Sequence, residues 1–165
     1  MKFLNLIRHG NSESDFLKND FDRELDQVGH NNCKNLDSFL YRYSFKKHKI
    51  LCSSSKRTSQ TLESLRFSLN ENSKIIYDEN IYLANMKTLY NLLVKESSSY
   101  MITIIGHNPG LSDLLSYLTG NYGIPDLETC SVAQIIFDNP KVIIEGSGEL
   151  KFMIKSANNG IISLI

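Results

Sequence analysis

Apolar and polar positions along this chain alternate between short runs and longer periodic stretches. Lys2–Arg8 is a compact, mostly apolar run and predicts a strand, whereas Asp26–Tyr43 sets Leu36, Phe39, Leu40 and Tyr43 at helical spacing. Lys49–Ser53 predicts a second strand. Lys56–Leu69 predicts a helix with Leu62, Leu65 and Leu69 on one face. A third strand is expected over Ser73–Tyr77, then a helix over Asn85–Lys95 with Asn85 as its cap. Met101–Gly106, dense in β-branched residues, predicts a fourth strand, and Gly110–Leu118 a short helix ended by Gly120. Val132–Phe137 and Leu150–Lys155 read as two more strands, with a turn near Asn139-Pro140. Strand–helix alternation of this kind predicts an α/β fold with a largely parallel central sheet and helices on both faces. The last two strands fit an antiparallel edge. No repeat, low-complexity tract or linker divides the chain, so residues 1–165 are expected to form a single domain.

Charge and composition narrow the chemistry. Eighteen basic residues balance eighteen acidic ones, which argues against nucleic acid as a partner. Any anion site must therefore be built from a few local cations. No apolar run approaches the ~18 residues of a membrane span. The first apolar run ends at Arg8, too early for a secretory leader. Cys33, Cys52 and Cys130 are odd in number and widely spaced, which suggests neither a disulfide framework nor a CxxC metal site. Reduced thiols in a cytoplasmic protein are expected. No His/Asp/Glu cluster has metal-ligand spacing, so neither a metal nor a cofactor is expected.

The chemistry-bearing residues sit where the strands end. In an open parallel sheet, ligands bind beyond the carboxyl ends of the strands. The first strand runs into Arg8-His9-Gly10, the second into Cys52-Ser53-Ser54-Ser55-Lys56-Arg57-Thr58, and the fourth into Gly106-His107-Asn108-Pro109-Gly110. Parallel strands would bring Arg8, His9, Arg57 and His107 to one crevice. Arg57 falls in the first turn of a helix, where the helix dipole disfavours a cation, and a bound anion would account for it.

Leu6-Ile7-Arg8-His9-Gly10 resembles the Arg-His-Gly signature of the histidine phosphatase superfamily. Ser53–Thr61 resembles its second arginine motif, and Ile105-Gly106-His107-Asn108 its second histidine motif. Asp22-Arg23-Glu24-Leu25 followed by Gly29, together with Gly106–Leu111, is similar to the SixA-type branch, the protein phosphohistidine phosphatases. The similarity spans roughly residues 2–120, beyond which the tail carries no motif.

The resemblance implies a phosphoglycerate-mutase-like fold and a metal-free phosphatase. His9 would be the covalent nucleophile, and Arg8, Arg57 and His107 would hold the phosphoryl oxygens. Gly10, Asn108 and Ser12 are candidate substrate contacts. A backbone carbonyl near Gly10 would fix the His9 tautomer, and the two arginines would lower its proton affinity. For a proton donor the candidates are Asp78 and Glu79, with Glu13 in the first loop. The branch often carries Glu in a Leu-Tyr-Glu-Ala stretch, whereas Ile81-Tyr82-Leu83-Ala84 has Leu83 there. Alkoxide leaving groups need an acid, but a protonated phosphohistidine expels imidazole without one. The expected reaction is therefore hydrolysis of phosphohistidine on a protein, with a phosphorelay domain as partner and a role in signal transduction. A small phosphate-ester phosphatase or mutase, and a non-catalytic phosphoprotein-binding module, are the alternatives. Little chain is left for a lid, so an open, shallow site is expected, bordered by a loop holding Asp15, Asp20 and Asp22 against Lys18 and Arg23. Asp22 and Arg23 would pair or line the entrance. His30 and His48 are expected at the surface and Cys52 within the sheet.

Overall fold

A computed structural model describes residues 1–14, 17–43, 45–157 and 160–165; Asp15 lies outside them. Among the described residues, seven strands form one sheet: β1 Phe3–Arg8, β2 Lys49–Ser53, β3 Lys74–Asp78, β4 Met101–Gly106, β5 Ser131–Phe137, β6 Gly148–Ala157 and β7 Gly160–Ser163. Four α-helices accompany them: α1 Gln27–Leu40, α2 Lys56–Ser64, α3 Met86–Glu96 and α4 Gly110–Thr119. The strand order is β3-β2-β4-β1-β5-β6-β7. β1 to β4 are mutually parallel, and β5, β6 and β7 add on antiparallel. The parallel half thus carries three of its strand ends, those of β1, β2 and β4, side by side.

Strand periodicity sorts the core into two layers. Leu4 and Leu6 of β1 and Ile102 and Ile104 of β4 face α3 and α4, against Leu89, Leu93, Leu111 and Leu114. Ile7, Ile50, Cys52 and Ile105 face α1 and α2, against Leu36, Leu40 and Leu62. Residues buried on both faces explain why these strands read as continuous apolar runs.

The helix ends follow local chemistry. The Asp26 side chain accepts from Gly29 N at 2.6 Å and caps α1, while Asn85 accepts from Thr88 N at 3.0 Å and caps α3 as expected. Gly120 ends α4 with φ 64°. Two expected helices are shorter than their apolar spacing suggests. α2 stops at Ser64, after which turns still bury Leu65 and Leu69, and α1 gives way to a 3-10 turn over Tyr41–Tyr43. Burial of an apolar residue requires a turn that faces the core, which a helix is only one way of providing. β7 was not expected. Its four residues carry no alternation of their own and become a strand by pairing with β6.

His48 is a correction. It is 7% exposed, with Nδ1 2.8 Å from Lys46 O and Nε2 2.9 Å from Thr103 Oγ1. Thr103 also accepts from Asn5 Nδ2 at 3.0 Å, and Asn5 Oδ1 accepts from Gln134 Nε2 at 2.8 Å. A polar row therefore runs from His48, just before β2, across β4, β1 and β5 inside the protein.

Candidate active site

The three strand ends meet as the parallel topology requires. Arg8 ends β1, His9 and Gly10 follow it, Arg57 lies in the first turn of α2 after β2, and His107 follows β4. All four side chains line one open cavity of about 320 Å³, with Ser12 and Asn108 at its wall. A larger groove of about 520 Å³, lined by Tyr41, Phe67 and Asn70 among others, holds none of them.

His9 is buried, and its Nδ1–H donates to Gly10 O at 2.7 Å. That bond leaves Nε2 as a lone pair facing the cavity. Gly10, expected as a substrate contact, is not among the residues that line the cavity. Its N–H donates to Thr61 Oγ1 at 3.0 Å, and a Cβ at this position would come within 2.9 Å of Cys33 Sγ. The loop is held from two further sides. His9 O accepts from Cys130 N at 2.9 Å, and Gly29 brings α1 so close that a Cβ there would stand 2.1 Å from Asn11 O. Asn11 also accepts from Thr129 Oγ1 at 2.9 Å. The tail, which carries no motif, therefore helps to position the loop.

Arg57 is almost fully buried, and its Nε lies 3.3 Å from His9 Nε2 and its Nη2 3.4 Å from His107 Nδ1. The other nitrogen of His107 lies 3.0 Å from Ser53 Oγ and 3.4 Å from Ser55 Oγ, so the serines of β2 and its loop orient that ring. Arg8 Nη1 and Asn108 Nδ2 share Leu127 O, at 2.9 and 2.8 Å. Arg8 Nε and Asn108 Oδ1 are buried and have no hydrogen-bond partner. Ser12 Oγ accepts from Arg23 Nη2 at 3.0 Å. Arg23 also lines the cavity, so it both pairs, with Asp20, and borders the entrance.

Both histidines are held neutral. Burial is the largest cause for His9, whose pKa falls from 6.5 to about 4, with Arg57 and Arg8 adding repulsion. Charge repulsion by the arginines is thus real but second to desolvation. His107 falls to about 3, through burial and then through His9 and Arg57.

No carboxylate is among the cavity-lining side chains of the described residues. Asp78 and Glu79, the expected donors, do not line it: Asp78 Oδ1 accepts from Asn80 N at 2.8 Å and caps the 3-10 turn Glu79–Ile81. A strand end that looks well placed in sequence here belongs to β3, the edge of the sheet, separated from β4 by β2 and from β1 by both. Glu13 pairs with Lys18 at 2.6 Å and is absent from the lining. Leu83, with φ 47°, does line the cavity. No group of three or more metal-ligating side chains occurs among the described residues, and no helix there is long and apolar enough to cross a membrane.

Sequence reasoning did not single out Asn11, Thr129, Leu127 or Tyr82. The first two are ordinary polar residues outside any motif, Leu127 acts through its carbonyl, and Tyr82 acts through a loop distant in sequence. None has a periodic signal that could have marked it.

Comparison with known proteins agrees with this geometry. The sequence model of the histidine phosphatase superfamily, branch 1, matches residues 4–96, more than half of the chain and including Arg8, His9 and Arg57. No curated protein matches by sequence. Among solved structures, the fold is similar to the protein histidine phosphatase SixA complexed with tungstate. That match has 21% identity, covers 95% of this chain and 98% of the other, and has a TM-score of 0.80. A SixA protein from Agrobacterium tumefaciens is 20% identical over 92% and 96% of the two chains, with a TM-score of 0.78. A mycobacterial glucosyl-3-phosphoglycerate phosphatase shares 11% identity over 92% and 97%, with a TM-score of 0.68. With its motifs converged on one cavity and its sequence matched over most of the parallel half, the chain belongs to the histidine phosphatase superfamily, branch 1.

Proposed function

We propose that this protein is a metal-independent phosphatase that hydrolyses phosphohistidine on a partner protein through a phosphorylated His9. The observation that carries this reading is a cavity holding a neutral, buried imidazole among three arginines, with no carboxylate of the described residues in its lining. His9 Nε2 attacks phosphorus, and the bond from phosphorus to the substrate nitrogen breaks. The departing imidazole keeps the proton it already carries, so its release needs no acid from the enzyme; its conjugate acid has a pKa near ~6.5. Water then attacks the phosphorus of phospho-His9 in line, its proton passes to phosphate or solvent, and His9 leaves neutral. Arg8, Arg57 and His107 stabilise the charge on the equatorial oxygens during both steps. Gly10 fixes the His9 tautomer, while Asn108 and Ser12 border the phosphoryl site. A phosphorelay domain in the cytoplasm, within a signalling pathway, is the partner that fits an open cavity of this size.

A second reading, hydrolysis of a small phosphate ester, is favoured by the likeness of the fold to glucosyl-3-phosphoglycerate phosphatase. The test compares kcat/KM for a phosphohistidine protein with that for sugar phosphates, glycerate phosphates and p-nitrophenyl phosphate. The protein substrate is expected to lead. One metabolite outperforming it by orders of magnitude selects the second reading.

A further inference from the structure

Arg57 is a buried cation at a helix N-terminus, where both desolvation and the helix dipole work against it. His9 and His107 are neutral and offer it no counter-charge. The carboxylate in contact with it is Asp20, from the 3-10 turn Asp20–Asp22 in the first loop, 37 residues away in sequence. Arg57 Nη2 donates to Asp20 Oδ2 at 2.9 Å, and Nη1 donates to the Asp20 carbonyl at 2.5 Å. Its remaining contacts, from Nε to His9 and from Nη2 to His107, are 3.3 and 3.4 Å and weak by comparison.

The two edges of the guanidinium are therefore used unequally. One is fastened to Asp20 by short, charge-assisted bonds, and the other rests loosely on the two imidazole nitrogens. An arriving phosphoryl group can replace the loose pair with two oxygens and leave the fastened pair intact. Asp20 is itself immobilised. The Tyr82 hydroxyl donates to Oδ2 at 2.6 Å and Arg23 Nη1 to Oδ1 at 2.8 Å, and Phe21 packs edge-on against Tyr82 at 4.9 Å between ring centres. The Tyr82 hydroxyl, then Arg23 and Arg57, hold this carboxyl well below the usual carboxylate range, so it stays ionised and has no proton to donate.

We propose that Asp20 is the positioning residue of Arg57, fastening one edge of the guanidinium so that the Nε–Nη2 edge stays aimed between His9 and His107. This rests on the proposed role of that cluster in phosphoryl transfer. It gives the first loop a catalytic purpose that its acidic composition conceals.

The test is a double-mutant cycle with Asp20→Ala, Arg57→Ala and the double variant, supplemented by Asp20→Glu. Turnover is measured on a phosphohistidine protein and on p-nitrophenyl phosphate, and the affinity for inorganic phosphate by calorimetry. Asp20→Ala is expected to lower kcat about 10²-fold, as a small misplacement of a catalytic group does. Phosphate affinity should hold or tighten, because a negative charge has left the site. Asp20→Glu should recover part of kcat. In the Arg57→Ala background, Asp20→Ala should have no further effect, since the residue it positions is gone. Effects that multiply, or an Asp20→Ala enzyme as fast as the parent, would overturn the proposal. The calorimetric cycle reads the Asp20–Arg57 coupling without turnover, so failure of the phosphatase reading and failure of this one give different results.

Discussion

Two buried polar clusters lie along the same strands, one in the middle of the sheet and one beyond the carboxyl ends of β1 and β4. Asn5, Ile7 and His9 share one parity along β1, as do Thr103, Ile105 and His107 along β4, so the two clusters share a face. The row Gln134–Asn5–Thr103–His48 closes on itself: both His48 nitrogens meet neutral protein groups, and each link is 2.8–3.0 Å. At the carboxyl end, His9 Nε2 faces a cation, the contacts lengthen to 3.3 and 3.4 Å, and Arg8 Nε and Asn108 Oδ1 have no partner. Burial alone does not separate a structural histidine from a reactive one. What separates them is whether the polar chain ends inside the protein or opens onto a cavity lined by arginines.

The sharpest way to break this comparison is to delete one histidine from each cluster. His9→Ala should lower kcat by at least ~10³-fold, the order seen when a nucleophile is removed, with the melting temperature nearly unchanged. Acid-quenched parent enzyme should carry phosphate on His9, and the variant should not. His48→Ala should leave kcat per folded molecule intact and lower stability, read by urea unfolding. Activity surviving in the first variant or collapsing in the second would reverse the assignment of the two clusters.

Arg57→Ala and Lys56→Ala separate adjacent cations. Loss of a preorganised donor to the transferring group costs about 10²–10³ in kcat, and Arg57→Lys should recover little because the planar fork is lost. Lys56 is half exposed and 3.7 Å from Glu24, a pairing worth little, so Lys56→Ala should change kcat/KM less than about threefold. Equal effects in steady-state assays would misplace the cavity.

Thr103→Val sharpens the structural side. It removes the hydroxyl shared by His48 and Asn5, leaving buried groups unpaired at a cost of about 1–3 kcal/mol, measurable by denaturant unfolding with kcat unaltered.

The smallest expected effect on activity is in pH. In the proposed mechanism the neutral form of His9 is the nucleophile, so kcat/KM should stay level as pH falls through 6.5 and decline only near about 4. Stability should behave differently. Folded His9 and His107 titrate near about 4 and about 3, below the unfolded value of 6.5. The unfolded chain therefore binds more protons between those values, and stability, full above pH 6.5, is lost as pH falls toward 4 and 3. A melting temperature flat from pH 7 to 4 would contradict the depressed values. In the same assays activity should survive EDTA, and vanadate should inhibit.

The fold and the four converging residues were legible because they depend on local patterns. Continuous apolar runs marked β1, β2 and β4, and Arg-His-Gly or Gly-His-Asn followed them directly. The rest was not legible for one physical reason: it depends on groups that meet across the chain. Asp78 and Glu79 looked poised at a strand end, but β3 is the sheet edge. His48 looked like a surface residue until Thr103 met it from β4. Asp20 looked like loop acidity until Arg57 reached it.

By itself the sequence determined the alternation that makes a doubly covered sheet, the strand ends that carry Arg8, His9, Arg57 and His107, and the family those motifs belong to. Periodicity and strand-end chemistry are properties of neighbouring residues, and they survive any rearrangement of distant ones. Only the tertiary structure decided that His9 is neutral mainly through burial, that the motif-free tail supports it through Cys130 and Leu127, and that no carboxylate of the described residues lines the cavity. Desolvation, orphaned atoms and counter-ions belong to the packed space around a residue, and that space is filled by segments distant along the chain, such as Leu127, 119 positions from Arg8.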